Sequence, residues 1–143
     1  MLALSHALTG ALIASKTTPV VGYSLAIISH PLLDLFPHWD FNTRCNDDRS
    51  VIKTIALSLA DASIGFGLGI LLYNSQVPLD QLLTTMFLAQ LPDWLEAPYH
   101  VFKWKFPPFT WVKKFQHMMH WKLQAPWGIL TQLTYLGIIL FLL

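Results

Sequence analysis

His30 and Asp34 stand four residues apart in an apolar stretch, on the helical stripe that also carries Gly22 and Ala26. An imidazole and a carboxylate on one face of a hydrophobic segment are costly unless they hold an ion, relay a proton or do chemistry. Further groups of the same kind follow along the chain. Asp93 and Glu96 are three apart with His100 four beyond, and His117 and His120 sit at i and i+3, a helical spacing that can chelate one ion. Asp61 leads a seam of spacing four with Gly65 and Gly69, so its carboxylate should face other helices and needs a cation, a proton or hydrogen-bond donors.

These residue types point to a divalent metal. Hard oxygen and imidazole donors suit zinc, manganese or iron, and the single Cys45 offers neither a cysteine zinc site nor an intramolecular disulfide. The expected ligands are His6, His30, Asp34, Asp61, Asp93, His117 and His120. They are too many for one four-coordinate structural ion, so one or two ions are expected, with a two-metal site the natural arrangement. Two ions can polarise a phosphoryl or acyl oxygen and activate water without a serine or cysteine. Glu96, if not a ligand, is a candidate general base. His38 is the other candidate catalytic residue, and with Asp40 it forms either a ligand pair or a helix-end cap. Asp40, Asp47 and Asp48 lie amid arginines and read as a solvated loop, whereas His100 beside Tyr99 reads as structural.

The elements that must position these groups are helices. At 143 residues the chain is one domain, and 54% apolar against 12% charged residues, with a mean hydropathy of +0.47, indicate an integral membrane protein. Apolar stretches at 2–15, 19–36, 51–73, 78–102 and 126–143 are separated by turn signals, and none alternates as a strand does. The expectation is an all-α integral membrane bundle of about four to five helices, a single membrane-embedded domain over 1–143. The third and fourth stretches are long enough to span, and the second and fifth are just adequate, since a span takes about 20 residues. The first is short and either starts inside the bilayer or pairs with the second as a re-entrant hairpin. It lacks the positive start of a signal peptide and carries His6 and Gly10 on one face, so it reads as part of the mature protein.

Charge places the loops. Arg44, Arg49 and Lys53 flank one linker and five lysines lie in 103–122, whereas the other side has Lys16 alone, so the charged loops are expected in the cytoplasm of a cell (inner) membrane. In 103–122 the rings of Trp104, Phe106, Phe109, Trp111, Phe115 and Trp121 interleave with lysines, the composition of a short interfacial amphipathic helix. All six histidines then fall at one leaflet, with Asp34, Asp61, Asp93 and Glu96. A net charge of +1 gives no nucleic-acid surface, and the expected partners are membrane lipids, a lipid or phosphoester substrate, and a second copy through the Gly65 and Gly69 seam.

The run Ser29-His30-Pro31-Leu32-Leu33-Asp34, then Phe36-Pro37-His38-Trp39-Asp40, with Ser5-His6, Leu91-Pro92-Asp93, His117 and His120, resembles a family of small membrane-bound metal-dependent hydrolases. These are similar in motif to zinc-dependent phospholipase C. The resemblance implies a helical bundle with a His/Asp metal centre that hydrolyses phosphodiesters or phospholipids. The chain is short and lacks the His-Arg-Gly-x-Thr-His-Ser box of the larger members. The competing expectation is a non-enzymatic membrane protein, either an ion or proton pathway through Asp61 or a scaffold whose polar seam only fixes helix packing. A di-iron oxidase, which needs histidine-rich boxes, ranks below both.

Overall fold

The computed structural model describes residues 1–40 and 50–142, which form seven helices and one isolated bridge. They are α1 (Ala3–Lys16), α2 (Pro19–Asp34), α3 (Val51–Tyr73), α4 (Leu79–Ala89), α5 (Leu91–Val101), α6 (Phe109–Met119) and α7 (Trp127–Phe141). Arg44, Cys45, Asp47, Asp48 and Arg49, on which part of the loop reading rests, lie outside the described residues.

The short first stretch is the centre of the fold. α1 packs against α2, α3, α4 and α7, because its buried face is built of small residues, Ala7, Gly10, Ala11 and Ala14. A Cβ on Gly10 would lie 2.8 Å from both Met86 Cα and Thr85 O, so α1 and α4 meet backbone to backbone. On the other side a Cβ on Gly65 would lie 2.8 Å from Leu4 Cα, and one on Gly69 would run into Met86. The Asp61, Gly65 and Gly69 seam is buried as its spacing predicts. Its neighbours within the chain are α1 and Met86. Ala7, Ala11, Ala14, Tyr73, Val77, Leu82 and Met86 form the apolar core.

One feature departs from the five-stretch plan. The fourth stretch is two helices, not one span. Pro92 lacks the N–H that would continue the ladder and its ring clashes with the preceding turn, so α4 stops at Ala89 and α5 restarts at Leu91. Each half is about 16 Å long, too short to cross a ~30 Å core alone. The aromatic and lysine linker carries its own helix, α6, as its composition predicts. Among the described helices α3 is long and apolar enough to cross a membrane, with 22% of its most apolar window buried.

The close approaches give a test with an internal control. Gly10→Ala and Gly65→Ala should each lower stability by roughly 1–3 kcal/mol through overpacking. Gly67→Ala and Gly137→Ala, where a Cβ meets nothing within 4 Å, should be neutral or stabilising by up to ~1 kcal/mol through helix propensity. Thermal unfolding of the detergent-solubilised variants reads the difference, and equal effects at all four positions would contradict this packing.

Candidate metal centre

Two of the histidines are held by backbone carbonyls in a way that fixes their protons. Because α4 ends at Ala89, the carbonyl of that residue has no partner in its own helix, and His30 Nδ1 donates to it at 2.8 Å. His38 Nδ1 donates to Phe36 O at 2.7 Å. A carbonyl only accepts, so Nδ1 carries the hydrogen in each neutral ring and Nε2 presents a lone pair inward, the second-shell arrangement of metal-binding histidines. Burial, reinforced by the positive charges of the Met1 ammonium and His120, pushes His38 down to about 3, which keeps its imidazole neutral and able to ligate.

His120 arrives by a different route. α6 stops at Met119 and His120 turns into extended backbone, so the i, i+3 relation with His117 is broken. The next residues run beside the end of α2: Trp121 N–H donates to Asp34 O at 3.0 Å, His38 N–H to Trp121 O at 3.1 Å, and Leu123 N–H to His38 O at 2.8 Å. This parallel pairing brings His120 Nε2 to 3.0 Å from His38 Nε2. Behind it, Thr131 donates to Pro37 O at 2.6 Å and Gln132 donates to Trp39 O, tying residues 37–39 to α7.

Asp34 lies in the middle and is 2% exposed. His6, His30 and Asp34 form one group of donors, Asp34, His38 and His120 a second, and the carboxylate is shared. His6 Nε2 is 3.4 Å and His38 Nε2 3.8 Å from Oδ1, while His30 Nε2 is 3.6 Å and His120 Nδ1 3.4 Å from Oδ2. These separations are long for hydrogen bonds. They are close to the roughly 3.3–3.6 Å edge of a tetrahedron of N and O ligands about 2.0–2.2 Å from an ion. His6, stacked on His30 with ring centroids 3.9 Å apart, is fully buried and neither of its ring nitrogens makes a hydrogen bond. A buried donor or acceptor left unpaired costs about 1–3 kcal/mol, and a cation at Nε2 would relieve one of the two. The Met1 ammonium is seated on Asp34 Oδ1, so a positive charge stands among the donors. These buried His and Asp groups can hold a metal ion.

The structure brings His6, His30, Asp34 and His120 together, adds His38 as a donor of the same rank, and places the rest outside the two donor groups. Asp61 is not in either group. Its Oδ2 accepts from Ala3 N–H at 2.6 Å and Leu4 N–H at 3.4 Å, so it caps α1, whose own N-cap Leu2 offers no side-chain acceptor. His117 is exposed on α6, turned away because α6 directs Gln116 inward instead. Glu96 is buried between α5 and α6, accepting from His100 Nε2 at 2.7 Å with Lys113 Nζ at 3.5 Å, and ties those helices together outside the two donor groups. Asp93 reaches the margin: Oδ1 is 3.5 Å from His30 Nε2 and its side chain is 42% exposed.

Gln116, which sequence reasoning passed over, and Asp40, which it weighed as a partner of His38 or as a solvated loop residue, both belong to the site. Gln116 Nε2 donates to Asp93 Oδ1 at 3.1 Å and lies 3.4 Å from His30 Nε2; it shares the α5-facing side of α6 with Lys113, three residues earlier. Asp40, read as a solvated loop residue, is buried, with Oδ2 3.4 Å from His120 Nε2 and 2.9 Å from Lys122 Nζ. Burial would raise its carboxyl, but His120 and Lys122 prevail and hold it below the usual carboxylate range.

Two substitutions away from the donors test this assignment. A Cβ on Gly128 would run into Leu123 O and lie 2.8 Å from Trp39 N and 3.0 Å from His38 C, so Gly128→Ala should move His38 and weaken metal uptake at the His38 and His120 group about 10-fold or more, the size of a second-shell loss. Asp61→Asn should cost about 1 kcal/mol of stability, as loss of a cap does, and leave metal content unchanged. Metal titration and thermal unfolding of the two variants separate a positioning defect from a capping defect.

Comparison with protein-family models, with curated proteins and with solved structures finds no match. The reading of the site therefore rests on its own geometry.

Proposed function

We propose that this chain is a membrane-embedded hydrolase of phosphoester or lipid headgroup substrates that works through two divalent ions, zinc foremost and manganese or iron next, which His6, His30, Asp34, His38 and His120 would hold. The observation that carries it is the pair of donor groups around one buried carboxylate, each with two imidazoles. An additional aspartate stands beside each, Asp93 next to His30 and Asp40 next to His120. Two ions in such a site polarise a phosphoryl oxygen and lower the pKa of a water.

The chain's own residues do the rest. The Ala89 and Phe36 carbonyls hold the rings of His30 and His38 in one tautomer and one orientation. Asp93, half exposed where the other acids are buried, faces the open side and is the group placed to take the proton from the attacking water. Water oxygen bonds to phosphorus, the phosphorus bond to the leaving alcohol oxygen breaks, and that oxygen recovers a proton from solvent.

Membrane placement is supported by apolar faces left open on three helices, at Val20 and Ile28 of α2, Ile64 and Leu71 of α3, and Leu133 and Ile138 of α7. Exposed Trp104, Phe106, Trp111, Phe115 and Trp121, interleaved with lysines, fit the headgroup level on the side of the centre. The reading puts the charged loops in the cytoplasm. The ion-path alternative loses its main support, since Asp61 is engaged by the N-terminus of α1.

Elemental analysis of detergent-purified protein should find two equivalents of zinc, manganese or iron, and Asp34→Asn should lose both. Turnover of a phospholipid in mixed micelles should vanish with a chelator and return with the metal. Asp93→Asn should keep its metal and lose about 10²–10⁴ in kcat. A stably folded natural chain that takes up no metal from added zinc, manganese or iron would overturn the proposal.

A further inference from the structure

An open recess lies beside the residues that hold His38, and its walls are almost entirely hydrocarbon. It encloses about 590 Å³, runs along α7 from Trp127 to Ile138, and has Phe36 and Leu123 on the facing wall. Those two residues are the ones whose backbone holds His38, Phe36 O accepting from its ring and Leu123 N–H donating to its carbonyl. One end of the groove therefore lies next to the backbone that holds His38.

Its hydroxyls are all turned elsewhere. Thr131 donates to Pro37 O and Gly128 O, Thr134 donates to Leu130 O at 2.9 Å, and the Tyr135 hydroxyl pairs with Thr9 Oγ1 at 2.7 Å. A polar ligand would find no free partner in these groups, whereas an alkyl chain needs none. The length fits as well. Trp127 and Ile138 are about 17 Å apart along α7, close to the roughly 15 Å that one leaflet contributes to the hydrocarbon core.

We propose that this groove holds one acyl chain of a phospholipid whose phosphate-bearing headgroup lies at the His38 and His120 half of the centre. This deepens the hydrolase reading and rests on it: the substrate is a membrane lipid, selected by its chain as well as its headgroup.

The test is photolabelling in vesicles of phosphatidylcholine doped with a phosphatidic acid that carries a diazirine in one acyl chain, with labelled positions mapped by peptide mass spectrometry. Label should concentrate several-fold on Leu130, Thr134 and Ile138 over the open face of α3 at Ile64 and Leu71, and excess unlabelled phosphatidic acid should displace it. Leu130→Trp, which fills the groove, should cut that labelling several-fold with metal content unchanged. The competition arm needs no variant and decides the matter if Leu130→Trp fails to fold. Even labelling of α2, α3 and α7, label that competitor does not displace, or cross-links showing a second copy seated on α7 would each overturn the proposal. Metal content and turnover are read on the same samples. Even labelling with both intact removes the groove and leaves the hydrolase reading standing. Displaceable groove labelling on a chain that takes up no metal supports the groove and removes the hydrolase reading.

Discussion

A carboxylate buried among apolar helices must be neutralised, because removing a charge from water costs several kcal/mol even after the surroundings relax. Asp34 sets that requirement for this chain, and the elements around it are arranged to meet it. Four imidazoles from three stretches of the chain converge on its two oxygens. Bringing so many polar rings to one apolar place is unfavourable unless a cation makes them mutually attractive. The Met1 ammonium supplies one positive charge at that carboxylate, and the proposed ions would meet the same electrostatic constraint.

The positioning devices follow from that constraint. α1 must come close enough for His6 to reach Asp34, and its small-residue face permits the approach. The break between α4 and α5 supplies the carbonyl that orients His30, so an apparent defect in a helix becomes part of the site. The extended residues after α6 pair with the end of α2 and deliver His120, with α7 bracing residues 37–39 from behind. Backbone, more than side chains, fixes the geometry of the donors, which suits a centre that must keep its shape.

The sequence carried much of this. The four-residue spacing of His30 and Asp34, the Asp61 seam, the limits of α3 and the helix inside the aromatic linker could all be read from periodicity and turn chemistry. Reading failed where a local rule was overridden by tertiary contacts. His117 and His120 look like an i, i+3 pair, but the helix ends between them. Asp61 looked like a ligand because a buried acid needs a positive partner, and the N-terminus of α1, distant in sequence, supplies the donors. Asp40 seemed solvated from its neighbours in sequence, while its neighbours in space are His120 and Lys122. Nothing in the spacing of Glu96 and His100 showed that the pair would tie α5 to α6 through Lys113 and not join the centre.

The central claim is that two ions share Asp34. X-ray absorption at the metal edge of the loaded, detergent-purified protein tests it most directly, because it reports both the ligands and any second ion nearby. The account predicts a first shell of nitrogen and oxygen at about 2.0–2.2 Å with imidazole scattering, and a metal–metal distance of about 3.5–4 Å. A sulfur shell, a shell without imidazole, or a fully loaded protein with no metal neighbour at that distance would contradict it.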